Sequence, residues 1–223
     1  MIKKKCVFFG KKNCKFSKNA IKFLKKKFKV NSILTNNIIG EKINFSKIKK
    51  ADYLFTYTTK LIIPKKILKK IKYGSFNFHN ALPKYPGSGG NVYSILNNDK
   101  YCGITIHHLN DLVDNGKIIF VKKYKIKGNI NIKDLLNFIK KKQLIIFKFF
   151  INKIDNHKWI SKMEKKHSSI NWANKTFKMK EINQLRKISF KMKKGEVDRT
   201  IRAFSIEKFK PYIIFKKNKF ILE

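Results

Sequence analysis

The sequence predicts an α/β fold in which a mostly parallel β-sheet is flanked by helices, followed by a small C-terminal subdomain. Three observations support this prediction. Short apolar runs alternate with segments of helical spacing along the N-terminal part of the chain, as in sheets covered on both faces. Polar residues, prolines and glycines concentrate just after the fourth apolar run. From residue 156 the pattern changes to short mixed segments, so we expect one domain at 1–155 and a subdomain at 156–223.

Each predicted element has a local signal in the sequence. Ser17 can cap the first helix through its hydroxyl, and Pro64 suits the first turn of the second. Asn77 begins the unusual polar segment, and ligands of such sheets bind beyond the carboxyl ends of the strands, so we expect the site there. The predicted strands are 6–9, 29–34, 53–57, 74–78, 103–108 and 118–124, and the predicted helices are 17–28, 64–71, 91–97 and 132–154.

The chain is strongly basic. It has 223 residues, with 54 Lys+Arg against 13 Asp+Glu and a formal net charge of +41, which should attract polyanions. All but three of the basic residues are lysine, which is a point charge rather than the bidentate fork of arginine. Two interpretations stay open: compositional drift in an A/T-rich genome, or a lysine surface that recruits an anionic substrate.

The cysteines and the apolar runs argue against several classes of protein. Cys6, Cys14 and Cys102 are odd in number and lack metal-ligand spacing, so we expect no disulfide framework, no metal and a reducing compartment. No apolar run approaches the ~18 residues that a membrane span requires. The first residues also lack the apolar stretch of a signal peptide. We therefore expect a cytoplasmic protein with no membrane partner.

Three polar residues could carry chemistry. Asn77 and His79 are one residue apart, so on a strand both side chains leave the same face. An amide can hydrogen-bond a carbonyl oxygen, and an imidazole can exchange a proton near neutral pH. Asp114 stands in an Asp-Asn-Gly turn after an apolar strand. Taken singly, each of these residues fits an ordinary strand end or turn.

In combination the segments resemble the folate-dependent formyltransferases. The resemblance rests on Asn-x-His at Asn77 and His79, the Leu82-Pro83 turn, the strand at 103–107 and the later Asp114, and it covers residues 50–125 best. It implies a Rossmann-like formyltransferase fold, 10-formyltetrahydrofolate as formyl donor, an amine as acceptor, and catalytic roles for the asparagine, the histidine and the aspartate. One departure is that the turn is a residue shorter than Ser-Leu-Leu-Pro and lacks its serine.

The resemblance also implies a slot for the pterin ring of the donor. It lies between segment 57–64 and segment 109–114, and the candidate cofactor-binding residues are Leu61, Ile62, Ile63 and Asn110. The same apolar residues equally fit simple strand-to-helix packing. The glycines at 87–90 precede a helix, so their N–H groups could face a phosphate, or they could form a turn around a ligand or neighbouring strand.

The acceptor is less constrained. Phe9-Gly10-Lys11-Lys12-Asn13 lacks the Gly-x-Gly-Ser-Asn of the glycinamide ribonucleotide enzymes, and 156–223 is shorter than the tRNA-holding domain of the methionyl-tRNA enzymes. The length and tail resemble the branch that formylates nucleotide-linked amino sugars, whose C-terminal piece often assists dimer formation. We expect such a nucleotide sugar as acceptor, with tRNA, another small amine, a homodimer, and a non-catalytic basic nucleic-acid-binding protein on the same fold left open.

Overall fold

The computed structural model describes residues 3–38 and 40–222, and these form eight strands and seven α-helices. The strands are β1 Lys5–Lys11, β2 Lys29–Thr35, β3 Ala51–Tyr57, β4 Ile71–His79, β5 Tyr101–His108, β6 Ile118–Lys125, β7 Tyr212–Phe215 and β8 Asn218–Ile221. The helices are α1 Lys15–Lys27, α2 Lys65–Leu68, α3 Gly90–Leu96, α4 Ile132–Lys153, α5 His157–Lys166, α6 Met179–Gln184 and α7 Lys194–Ala203.

The main sheet has six strands in the order β2-β1-β3-β4-β5-β6. The first four are mutually parallel, and β5 and β6 pair antiparallel to their neighbours. β1 is central, with all five residues between its terminal lysines buried, which explains its continuous apolar run. The predicted α/β class with a mostly parallel, helix-flanked sheet is confirmed.

Two apolar layers cover the sheet. The larger contains aromatic residues of β3 and β4 packed against α4, as where the Phe78 and Phe147 ring centroids lie 4.7 Å apart. The smaller lies on the other face and includes Phe9, Leu54 and Ile63. Helix α4 buries residues at three- and four-residue spacing, as an amphipathic helix should. The sheet is thus fixed from both sides, and β4 lies inside it.

Two predicted local features were wrong. Helix α1 begins two residues earlier than predicted, and its N-cap residue is Cys14, not Ser17. The serine is instead buried within the first turn, where its hydroxyl accepts a hydrogen bond from the Lys11 N–H at 3.2 Å. The helix predicted from Pro64 to residue 71 is only four residues long, because the chain turns early into β4.

The chain after α4 packs on the main sheet. Its buried residues Ile160, Ile182 and Phe204 belong to the larger core cluster, and it ends in the two-stranded hairpin β7-β8. The boundary between residues 155 and 156 stays a prediction. His167 is buried, with Nδ1 2.9 Å from the Met163 carbonyl oxygen. Within the described part of the chain, no helix is long and apolar enough to cross a bilayer.

Candidate active site

The carboxyl end of β4 and the β5–β6 loop meet at one point of the sheet. Asn77 and His79 lie at the end of β4, and Asp114 lies on the loop between β5 and β6. The Asn77 Nδ2 atom is 3.0 Å from Asp114 Oδ1, and the His79 Nδ1 atom is 3.1 Å from Asp114 Oδ2. The three residues that the sequence predicted as catalytic are therefore in direct contact, although their catalytic roles stay a prediction.

The position of the Asp114 side chain is set by the backbone conformation of this residue and by a hydrogen bond from a glycine turn. Its φ of 41° is in the left-handed region, which Asp and Asn tolerate better than most residues. The Gly87 N–H donates to Asp114 Oδ2 at 2.8 Å, and Gly87 itself has a φ of 92°. The next N–H, that of Ser88, donates to the Phe177 carbonyl. The Gly87 N–H thus binds a carboxylate of the protein, and the Ser88 N–H binds a backbone carbonyl. Neither donor is therefore left for a phosphate at the glycines of 87–90.

The orientation of the Asn77 amide follows from its neighbours. The Thr56 hydroxyl donates to Asn77 Oδ1 at 2.7 Å, so the Nδ2 group must face the other way, toward Asp114 and His107. One of its hydrogens is directed at the Asp114 carboxylate and the other at His107 Nε2, 3.0 Å away. The amide therefore presents a second N–H that can be redirected to a ligand oxygen.

Both ring nitrogens of His79 face acceptors. Nδ1 meets the Asp114 carboxylate, and Nε2 lies 3.0 Å from the Tyr85 carbonyl oxygen. Neither partner atom can donate, and only the doubly protonated ring has N–H groups on both nitrogens. The surroundings consequently favour the imidazolium form.

The pKa values of the pair shift in opposite directions. Burial acts to lower the pKa of His79, but the charge of Asp114 and its hydrogen bond outweigh burial, and the pKa lies above the ordinary 6.5. Burial acts to raise the pKa of Asp114, but the charge of His79 and the hydrogen bonds that the carboxylate accepts outweigh it, so this carboxyl has a pKa far below its usual range. Both shifts favour a buried carboxylate beside an imidazolium.

This pair should make the stability of the protein depend on pH. A raised folded-state pKa contributes stability below the unfolded-state value, and this contribution is lost as pH rises through the folded-state pKa. The His79→Gln variant lacks it. We expect the free energy of unfolding of the wild type, measured by urea denaturation, to fall relative to that variant as the pH rises above the ordinary histidine pKa of about 6.5. Parallel curves for the two proteins would contradict the shift.

Two residues of the site escaped the sequence prediction. His107 lies opposite Asn77 in the β4–β5 pairing, is 1% exposed, and places Nε2 3.2 Å from Asp114 Oδ1. Trp172 stands edge-on to His79 and to His107, with ring centroids 5.6 and 4.9 Å away. Alternation along β5 puts His107 and His108 on opposite faces of the sheet, and pairing that strand with β4 would have placed His107 at the site. Nothing local in the sequence marks Trp172.

The four candidate cofactor-binding residues lie in different environments. Ile63 is 1% exposed and belongs to the smaller core cluster, so packing accounts for it. Ile62 is 52% exposed, whereas Leu61 is partly buried beside the same cluster. The Asn110 side chain bonds within its own loop, to Asn115 and to the Leu112 N–H. Their role in binding a cofactor stays a prediction.

Among residues 3–38 and 40–222, no three His, Cys, Asp or Glu side chains are placed to hold a metal ion. The positive charge next to the carboxylate comes from a histidine, and the site combines an amide, an imidazole and a carboxylate.

Comparison with known proteins identifies the family of the chain. The sequence model of the family described as "Formyl transferase" matches residues 5–148. Among curated proteins, the methionyl-tRNA formyltransferase of Orientia tsutsugamushi is 33% identical over 133 residues, covering 55% of this chain and 43% of that protein. The methionyl-tRNA formyltransferase of Ehrlichia ruminantium is 37% identical over 97 residues, covering 43% of this chain and 32% of that protein. The matches thus span less than half the length of these two relatives.

Solved structures resemble the whole chain more evenly. A 4-N formyltransferase from Francisella tularensis superposes with a TM-score of 0.77 at 21% identity, covering 98% of this chain and 96% of that one. An N-formyltransferase from Helicobacter canadensis, solved with folinic acid and dTDP-3-aminofucose, gives a TM-score of 0.70 at 26% identity, covering 98% and 86%. The fold is the one that these formyltransferase structures share. The chain belongs to the formyl transferase family.

Proposed function

We propose that this protein is an N-formyltransferase that moves a formyl group from 10-formyltetrahydrofolate to a primary amine. The observation that carries the proposal is that Asn77 and His79 both contact the carboxylate of Asp114. In the overall transfer, a C–N bond to the amine forms, the C–N bond to the donor breaks, and the proton lost by the amine ends on the donor nitrogen.

The charges that develop in this reaction match the groups of the site. Attack on the formyl carbon places negative charge on the formyl oxygen, which preorganised donors stabilise best. Asn77 supplies the N–H that now meets His107, and His79 supplies a positive charge beside it. Asp114 already accepts hydrogen bonds from Asn77, the Gly87 N–H and His79 and has a lowered pKa, so we assign it chiefly to holding the imidazolium rather than to accepting the proton of the amine.

The surroundings also fit a folate donor. A pterin and its aminobenzoyl ring need an apolar slot with a few polar groups. Ile62 is more than half exposed in the segment after β3, and Leu112 and Val113 on the Asp114 loop are 59% and 39% exposed. These apolar side chains lie in the two segments between which the slot is predicted, so we propose that the donor covers them when it binds.

Replacing Ile62 should weaken donor binding without unfolding the protein. Loss of one partly covered aliphatic side chain removes about 1 to 2 kcal/mol of binding, so we expect KM for the donor in Ile62→Ser to rise about tenfold. Ile145 is similarly exposed, on α4, so Ile145→Ser is the matched control and should leave KM unchanged. Equal KM values in the two variants would exclude Ile62 from the slot.

For the acceptor we propose an amino sugar linked to a nucleotide. The similarity to the Francisella and Helicobacter enzymes covers 98% of this chain and so includes the C-terminal segment with its hairpin. The Helicobacter structure contains dTDP-3-aminofucose. Methionyl-tRNA is the second candidate, supported by the curated relatives and by the net charge of +41.

A direct assay separates these possibilities. The protein is incubated with 10-formyltetrahydrofolate and, in turn, dTDP-linked amino sugars, methionyl-tRNA and glycinamide ribonucleotide, and each product is examined for a formyl mass. We expect formylation of an amino-sugar nucleotide. Product only with methionyl-tRNA would transfer the proposal to the second candidate. No product from any acceptor, together with tight salt-sensitive binding of nucleic acid, would favour the non-catalytic alternative.

A further inference from the structure

The chain that follows α4 contacts the outer side of the loop that carries Asp114. The loop connects His108, the last residue of β5, to Lys117, just before β6, and the His108 N–H donates to the Lys117 carbonyl at 2.9 Å. The two ends of the loop therefore lie side by side. A Cβ built on Gly116 would be 1.7 Å from the His108 carbonyl oxygen, so the closure is tight enough to require glycine.

One carboxylate contacts both ends of this loop. Glu164, on α5, places Oε1 2.8 Å from His108 Nε2 and Oε2 2.5 Å from Lys117 Nζ. Its side chain is 16% exposed, compared with 36% for His108 and 64% for Lys117. Partial burial acts to raise the pKa of Glu164, but hydrogen bonds from Lys117 and His108 outweigh it, and the pKa lies below its usual value. Glu164 is therefore ionised at neutral pH.

A second contact comes from Trp172. Its indole Nε1–H donates to the Gly116 carbonyl at 2.8 Å, two residues from Asp114. The same ring packs edge-on against His79 and His107. Segment 164–172 thus reaches the loop at its two ends and next to its functional residue.

We propose that Glu164 and Trp172 are positioning residues that hold the Asp114 loop in register with His79. The proposal rests on the proposed function for its catalytic consequence, but not for its structural one. The Asp114 backbone is in the left-handed region, and the carboxylate must reach Gly87, His79, Asn77 and His107 together. A loop tied down on its outer side can keep that fourfold contact, because small displacements of positioned groups are costly in catalysis.

The test uses Glu164→Ala, Glu164→Gln and Trp172→Phe in the full chain. Glu207→Ala is the control, because Glu207 also forms an ion pair in the C-terminal segment, with Lys210 at 3.6 Å, yet its side chain is 88% exposed. Hydrogen exchange across 109–116 and NMR titration of the His79 ring are measured alongside kcat and KM. Circular dichroism establishes that each variant is folded, and Glu164→Gln and Trp172→Phe decide the matter if Glu164→Ala does not fold.

We expect all three variants to exchange at least about fivefold faster across the loop, to titrate His79 closer to its ordinary pKa because Asp114 is less closely held, and to lose about tenfold or more in kcat with KM for the acceptor little changed. Glu207→Ala should match the wild type. Folded variants with wild-type exchange and titration would overturn the inference. If the wild type forms no product with any acceptor, the proposed function fails, and the exchange and titration data still decide the role of the two residues.

Discussion

Replacing Asp114 by asparagine is expected to lower kcat by about 10² to 10⁴, the usual range for loss of acid–base assistance, without unfolding the chain. Asparagine has the same shape and tolerates the left-handed backbone at this position. Its NH₂ group, however, would face donors that now converge on the carboxylate, such as His79 and the Gly87 N–H. The imidazolium would lose its counter-charge and its pKa would fall.

The natural control for this experiment is in the same loop. Asp111 is exposed, so Asp111→Asn removes a negative charge from the loop and leaves the buried cluster intact. Steady-state kinetics of both variants, with the acceptor found in the panel assay, separate the two sites. An Asp114→Asn enzyme as active as Asp111→Asn would show that the buried carboxylate has no part in turnover.

Removing the Asn77 side chain by Asn77→Ala should cost about 10² to 10³ in kcat, the effect of losing one preorganised donor to a developing oxyanion. KM for the donor should change much less, since that hydrogen bond strengthens only as charge develops on the oxygen. Single-turnover kinetics at saturating donor measure this effect separately from product release.

Thr56→Val provides the comparison for this second experiment. It keeps Asn77 but removes the hydroxyl that donates to its Oδ1, so the amide loses the contact that fixes its orientation. We expect a smaller loss than for Asn77→Ala, because the donor is still present but less well directed. If the two variants lost the same activity, donation by the amide would depend entirely on its contact with the Thr56 hydroxyl.

Much of the fold follows from the sequence because apolar residues dominate the strands. The run from Cys6 to Phe9 and the spaced apolar residues of α4 identify buried elements by composition and period alone. Ends of elements depend instead on tertiary contacts. Ser17 has the chemistry of a cap, yet burial and its bond to Lys11 place it inside the helix. Likewise, the helix after Pro64 stops early because the following residues join the sheet.

The site shows the same division between local and distant information. Asn77 and His79 share a strand face by simple alternation, and Asp114 was found through its turn and the family resemblance. His107 needed the pairing of β4 with β5, and Trp172 needed the path of the chain after α5. Contacts between residues as far apart in the sequence as Trp172 and the two histidines leave no periodic signal in a single sequence, which is why the position of Trp172 was not predicted.

The placement of Trp172 affects how pieces of related enzymes can be exchanged. The sequence shared with the family model ends at residue 148, but the indole that touches both histidines comes later in the chain. A chimera joined at that point would take Asn77, His79 and Asp114 from one parent and the tryptophan that packs against the histidines from the other. Exchanging the C-terminal segments of homologues to change acceptor specificity should therefore lower turnover, unless Trp172 and Glu164 come from the same parent as the N-terminal part.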